Sequence, residues 1–198
     1  MLGNYYRGSV VLLYGDHDRG RQAWDAYSTL VKRSREGIQF SSKVLLCYLY
    51  PKILPAETLA KFDLALNFHP APLPEYAGYA PYTFGILDGR TSWGVTCHRM
   101  IGKVDAGPIV KYSEIPIDMR KVTAEEAREQ TMPHLLVLFR SVVERVLRDE
   151  PMPIRPNGAT PKTKAEFERW RMLSVVEEDR ERYRRAFYCP PHKGYLEA

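Results

Sequence analysis

The sequence predicts an α/β fold, a mostly parallel twisted sheet with helices on both faces, and three observations carry that prediction. Short apolar runs bounded by turn residues recur at residues 9–14 (SVVLLY), 43–50 (KVLLCYLY) and 64–68 (LALNF). Between them lie segments of helical rather than alternating periodicity. Near-continuous apolar strands alternating with amphipathic helices are what a sheet buried on both faces requires.

The elements follow in order. After residues 9–14 the run stops at Gly15, and Ala23, Trp24, Tyr27, Leu30 and Val31 fall at helical spacing over residues 20–34. Residues 43–50 form a second strand, residues 55–62 a short helix, and residues 64–68 a third strand that delivers Asn67 and His69 at its carboxyl end. A loop punctuated by Pro70, Pro72, Pro74 and Gly78 leads to a short helix from Pro81 to the Asp88-Gly89 stop. Residues 93–100 and 108–117 read as two further strands joined by a tight segment. The sequence Thr123-Ala124-Glu125-Glu126 is a capping box, so a long helix should start there and run to about Arg148, with a bend at Pro133. One more helix is expected over residues 164–182. The chain shows no internal repeat and no domain boundary, so residues 1–198 are expected to form one domain with a short C-terminal extension from about residue 151.

Composition narrows the functional classes. The 198 residues, 44% hydrophobic and 27% charged, suit a globular domain with a substantial core. No stretch approaches the length of a bilayer span and the N-terminus lacks a secretory pattern, so a cytoplasmic protein without a membrane partner is expected. The net charge of +5 does not make a nucleic-acid stripe: residues 162–185 hold eight Lys or Arg against six Asp or Glu, the mixture of a solvated helix. Cys47, Cys97 and Cys189 are too scattered for a disulfide framework or a metal pair and read as small hydrophobes.

The residues that carry chemistry are Asn67, His69 and Asp105. In an open α/β sheet, ligands bind beyond the carboxyl ends of the strands, which is where these three fall. Asn67 and His69 are two apart, so in extended backbone they share one face. Asp105 sits on the glycine-flanked segment GKVDAG, where the small residues allow close backbone approach. A carboxamide can donate to a developing oxyanion, an imidazole can shuttle a proton near neutral pH, and a carboxylate can orient that imidazole. No metal is expected, since His69, His98 and Asp105 fit no compact ligand spacing. Tyr76, Tyr79, Tyr82 and Phe84 are read as packing, Asp16, His17 and Asp18 as a solvated turn, and His134 and His192 as structural.

Residues 67–110 contain N-x-H-P, L-P-x-Y-x-G, a small helix ending I-L-x-G, G-V-T-x-H and V-D-x-G in one register. This resembles the core signature of the folate-dependent formyltransferase family, which includes glycinamide ribonucleotide, methionyl-tRNA and amino-sugar formyltransferases. The resemblance implies a Rossmann-like formyltransferase fold with Asn67, His69 and Asp105 catalytic. It also implies a slot for the donor, 10-formyltetrahydrofolate, formed by Lys52, Ile53, Leu54, His98, Ile101, Gly102 and Val104, with Ile53, Leu54 and Val104 packing on the pterin.

Two departures bear on the acceptor. Only 66 residues precede Asn67, fewer than family members usually have, so an N-terminally abbreviated fold is expected. The turn GDHDRG replaces the phosphate-cradling turn of the glycinamide ribonucleotide enzymes, and residues 151–198 are too few for the C-terminal barrel of the methionyl-tRNA enzymes. The segment from Arg185 to Tyr195 is similar to the closing segment of amino-sugar formyltransferases. The expected partner is a small-molecule amine, a nucleotide-linked amino sugar, with no nucleic acid and with a homodimer compatible. The alternatives are formyl transfer to glycinamide ribonucleotide or methionyl-tRNA, a formyltetrahydrofolate deformylase, and a folate-binding protein that has lost catalysis.

Overall fold

The computed structural model describes residues 5–7, 10–15, 17–33, 43–173 and 175–188. Among these residues six strands form one sheet in sequence order: β1 (Tyr5–Arg7), β2 (Val10–Tyr14), β3 (Val44–Tyr48), β4 (Leu64–His69), β5 (Trp93–Arg99) and β6 (Ile109–Ile115). β2, β3 and β4 pair in parallel, whereas β1 runs against β2, and β5 runs against both β4 and β6. Four of the six strands therefore point the same way, as the α/β class requires. The antiparallel β5 has a local cause. β5 and β6 are joined by a tight loop rather than a helix, and only a helical crossover can return the chain to a parallel neighbour.

Helices α1 (His17–Arg33), α2 (Ala56–Leu59), α3 (Pro81–Leu87), α4 (Ala124–Leu147), α5 (Lys164–Arg171) and α6 (Glu177–Phe187) complete the fold. α1 begins three residues before its amphipathic stretch, so His17 and Asp18 belong to its first turn rather than to a free turn. Asp16, Cys189, His192 and the tail from residue 189 lie outside the described residues. α4 starts on the expected capping box, in which Glu126 N–H donates to Thr123 Oγ1 at 3.2 Å and Thr123 N–H donates to Glu126 Oε2 at 2.8 Å, and it continues through Pro133. The single helix expected over residues 164–182 is two. α5 closes at Met172 and α6 opens after Val176, and both carry the i,i+3 ion pairs of solvated helices, such as Arg171 with Glu168 and Arg182 with Asp179.

The two faces of the sheet are covered unequally. Val10, Leu12, Val44, Leu46, Tyr48, Leu66, Phe68, Val95 and Cys97 bury one face against α1 and α4, which contribute Ala23, Tyr27, Leu135, Leu138, Phe139 and Val142. At its centre Phe139 stands edge-on to Phe68 and Tyr48, with ring centroids 4.8 and 5.3 Å away. The opposite face carries a small cluster, Leu45, Cys47, Leu59 and Ala65, covered by α2. Period-two alternation puts Ala65, Asn67 and His69 on that second face while Leu66 and Phe68 enter the main core. Cys47 and Cys97 are buried and behave as small hydrophobes, with burial pushing the Cys47 thiol up to about 12. No helix among the described residues is long and apolar enough to cross a membrane.

Candidate active site

The site begins with register. Asn67 on β4 lies directly opposite His98 on β5, so both side chains leave the same face of the sheet. A bulge between Cys97 and His98 shifts the β5–β6 pairing at the same place. Asn67 Nδ2 stands 3.1 Å from His98 Nε2, and His98 Nδ1 is 2.9 Å from the Arg99 carbonyl. A carbonyl only accepts, so His98 carries a proton on Nδ1, while its Nε2 lies between the Asn67 amide and Asp105 Oδ1.

Asp105 is the hub. Its Oδ1 accepts from Asn67 Nδ2 at 3.3 Å and lies 3.3 Å from His98 Nε2. Its Oδ2 lies 3.4 Å from His69 Nδ1 and accepts from the Gly78 N–H at 2.9 Å. Burial opposes the ionised carboxyl, but His69, His98 and the Gly78 amide outweigh it and hold Asp105 well below the usual carboxylate range. Asp105 has a φ of 47°, a left-handed conformation that L-residues other than Asn, Asp and Gly seldom adopt.

His69 is buried, and its Nε2 is 2.8 Å from the Tyr76 carbonyl, which fixes the proton on Nε2. Burial lowers its proton affinity despite Asp105 and the Tyr76 carbonyl. Its Nδ1 faces the Asp105 carboxylate at 3.4 Å. A proton arriving at that nitrogen would find a charge partner already in place. The Asn67 amide differs from the free donor the sequence suggested: it donates to Asp105 Oδ1 and stands against His98 Nε2 inside the cluster.

The cluster forms one wall of a cavity of about 590 Å³. All ten residues singled out from the sequence line it. They are Asn67, His69 and Asp105 together with Lys52, Ile53, Leu54, His98, Ile101, Gly102 and Val104. The structure thus brings the two groups to one place and moves His98 inward, from the border of the slot into the polar cluster. Ile53 and Ile101 are 76% and 46% exposed, so the cavity opens between two apolar lips. Lys103, Lys162, Thr163 and Lys164 add a polar rim that the sequence reading left unassigned. Tyr76, Tyr82 and Phe84 are buried packing residues as expected, whereas Tyr79 lines the cavity.

Of the two glycines that flank the Asp105 loop, Gly102 lines the cavity, whereas Gly107 has a different use from the ligand approach anticipated for it. A Cβ on Gly107 would stand 1.8 Å from the Arg99 carbonyl oxygen, so this glycine lets the loop close on β5. Gly78 has a φ of 87° and would place a Cβ 2.3 Å from the Lys162 carbonyl. Sequence reasoning missed Asn157. Its Nδ2 donates to the Asp105 and Gly107 carbonyls, each at 2.8 Å. Its only signal was an Asn-Gly pair, which reads as a turn.

An open α/β sheet with a polar cluster at the carboxyl end of its central strand, beside an apolar-lipped cavity, defines a small-molecule-binding class of fold. Residues 26–135 match the formyl transferase family, and the chain belongs to that family. Methionyl-tRNA formyltransferase of Listeria welshimeri is 40% identical over 83 residues, which are 41% of this chain and 27% of that protein. The match thus spans about a quarter of the length of such curated relatives. Among solved structures, a sugar N-formyltransferase from Shewanella sp FDAARGOS_354 superposes with a TM-score of 0.72 at 14% identity, covering 96% of this chain and 92% of that one. An N-formyltransferase from Helicobacter canadensis, solved with folinic acid and dTDP-3-aminofucose, gives 0.62 at 19% identity over 72% of this chain and 54% of that one. Both likenesses concern the fold.

Proposed function

We propose that this protein transfers a formyl group from 10-formyltetrahydrofolate to the primary amine of a small molecule, a nucleotide-linked amino sugar. The observation that carries the reading is the meeting of Asn67, His69 and Asp105 within 3.4 Å on the wall of one cavity. In formyl transfer the amine nitrogen bonds to the formyl carbon, the carbonyl oxygen gains negative charge, and the bond to the folate nitrogen breaks. The nitrogen that attacks must lose a proton and the nitrogen that leaves must gain one.

The residues supply each need. His69 Nδ1 accepts the amine proton, Asp105 stabilises the resulting imidazolium, and the same nitrogen returns the proton to the departing folate nitrogen. Asn67 turns one N–H from His98 or Asp105 to the oxyanion as charge develops there, so its donation strengthens in the transition state. Ile53, Leu54, Ile101 and Val104 offer apolar walls for the flat pterin, and Gly102 leaves room beside them. Lys52, Lys103, Lys162 and Lys164 suit anionic groups, among them the phosphates of a nucleotide-linked acceptor.

Support for a sugar acceptor comes from the amino-sugar ligand of the Helicobacter canadensis protein. The sequence identity to methionyl-tRNA formyltransferase favours a second acceptor, methionyl-tRNA. The test is turnover of 10-formyltetrahydrofolate against a panel of nucleotide-linked amino sugars, with methionyl-tRNA, glycinamide ribonucleotide and water alone as separate arms. Amine-dependent release of tetrahydrofolate with a formylated sugar is expected. Release without amine would identify a deformylase, formylated tRNA would replace the sugar acceptor, and folate binding without turnover would remove the enzyme reading.

A further inference from the structure

We infer that Asn157 is a positioning residue that holds the Asp105 carboxylate against His69 through the main chain, an inference that rests on the formyl-transfer reading of that cluster. Asn157 lies 52 residues from Asp105 in sequence and is not part of the cavity wall. Both hydrogens of its amide are spent on the loop, one on the Asp105 carbonyl and one on the Gly107 carbonyl, and its Oδ1 accepts from Ala159 N–H at 3.2 Å. Every polar atom of the side chain is thus engaged, two of its three bonds clamping the loop at and just after a left-handed Asp105. A residue of that backbone conformation is retained only where its surroundings hold it.

The clamp is anchored at both ends. Arg155 and Ile109 exchange backbone hydrogen bonds of 2.9 and 2.8 Å, fixing the chain just before Asn157 to the start of β6. Beyond it, Ala159 is buried with Leu73, Ala77 and Ile109, and Lys162 bonds the backbone of Ala77 and Tyr79 on either side of Gly78. Gly78 donates to Asp105 Oδ2, and Tyr76, two residues earlier, accepts from His69. Residues 155–162 therefore act as one strap across the two loops that set the imidazole and the carboxylate, and Asn157 is the only side chain of that strap seen to bond the Asp105 loop among the described residues.

The experiment compares wild type, Asn157→Ala, Asn157→Ser, Asp105→Asn and the Asn157→Ala/Asp105→Asn double variant. Two quantities are read: kcat and KM for formyl transfer, and the titration of His69 by NMR of labelled imidazoles. The charged and polar groups facing that ring are Asp105, His98 and the Tyr76 carbonyl. Asn157→Ala should lower kcat by about 10- to 100-fold with KM for the folate donor little changed, as a displaced catalytic group does. His69 should titrate at lower pH, because its stabilising carboxylate has withdrawn. Asn157→Ser, which keeps one donor, should fall between. In the Asp105→Asn background the second substitution should move the His69 titration no further. An unshifted His69 in Asn157→Ala, or an equal additional shift in the double variant, would overturn the inference. So would loss of the native fold in both Asn157 variants, which would make the residue structural. A wild type that transfers no formyl group but shows the His69 shifts would sink the functional reading and leave the positioning role intact.

Discussion

At the scale of single residues, the cluster divides labour between a buried imidazole of lowered proton affinity and an ionised carboxylate. His69→Ala and Asp105→Ala should each abolish detectable transfer with an unchanged far-UV circular dichroism spectrum; near-wild-type rates in either would remove it from the mechanism. Asn67→Ala should lower kcat by about 10²- to 10³-fold while donor affinity changes less, as expected for a donor whose bond strengthens late. Weaker folate binding at an unchanged kcat would instead make Asn67 a binding residue. Acid should act on stability as well as on rate. His69 is held below its ordinary value of 6.5 and Asp105 below 3.8, so on acidification the unfolded chain takes up each proton before the folded one. The urea midpoint should therefore be highest above pH 6.5, fall as pH drops towards the folded value of His69, and fall again below 3.8. A midpoint flat between about pH 7 and about pH 5 would contradict the lowered proton affinity of His69. The members of the cluster were legible in sequence because a period of two puts Asn67 and His69 on one face and because N-x-H-P and V-D-x-G stand in register. Their partners were not. The Tyr76 carbonyl and Gly78 amide are main-chain groups, whose hydrogen bonds no side-chain pattern reports, and Asn157 looks like an ordinary turn former.

At the scale of elements, caps and close approaches carry separable costs. Thr123→Ala removes the side-chain half of the α4 capping box and should reduce stability by about 1 kcal/mol in denaturant titration, with kcat unchanged. A matching fall in kcat would tie α4 to the site in a way its position on the far face does not suggest. Gly107→Ala has no such freedom, since its Cβ would collide with a carbonyl oxygen rather than a flexible side chain. It should cost activity more than stability, because the loop that must move carries Asp105. Strands and helices with strong periodicity, β2 to β6 and α4, stood close to where the sequence placed them. β1 and the break between α5 and α6 did not, for distinct reasons. A three-residue edge strand is too short to show alternation. The break falls at residues 172–176, MLSVV, which hold neither glycine nor proline and so give no stop signal.

At the scale of the whole molecule, stability and chemistry occupy opposite faces of one sheet. Phe139→Ala, at the centre of the aromatic contact with Tyr48 and Phe68, should cost about 3 to 5 kcal/mol while leaving kcat near wild type at temperatures where the variant stays folded. A kcat loss at low temperature, with the fold intact, would show that the two faces are coupled. The direction of β5 was the global feature least visible in sequence: strand content does not encode pairing direction, and only the shortness of the β5–β6 connection hinted at it.

The cavity combines a floor made from paired strands with a rim contributed by three connecting segments, around residues 50–54, 101–104 and 161–164. Floor residues are held by ladder bonds shared with the core, and at Lys162 the rim is tied by its backbone to Ala77 and Tyr79. On the proposed reading, exchanges at 50–54 and 101–104 should alter donor binding, whereas new side chains at Lys162 and Lys164, which leave the backbone bonds in place, are the natural place to diversify in a library selected for new acceptors.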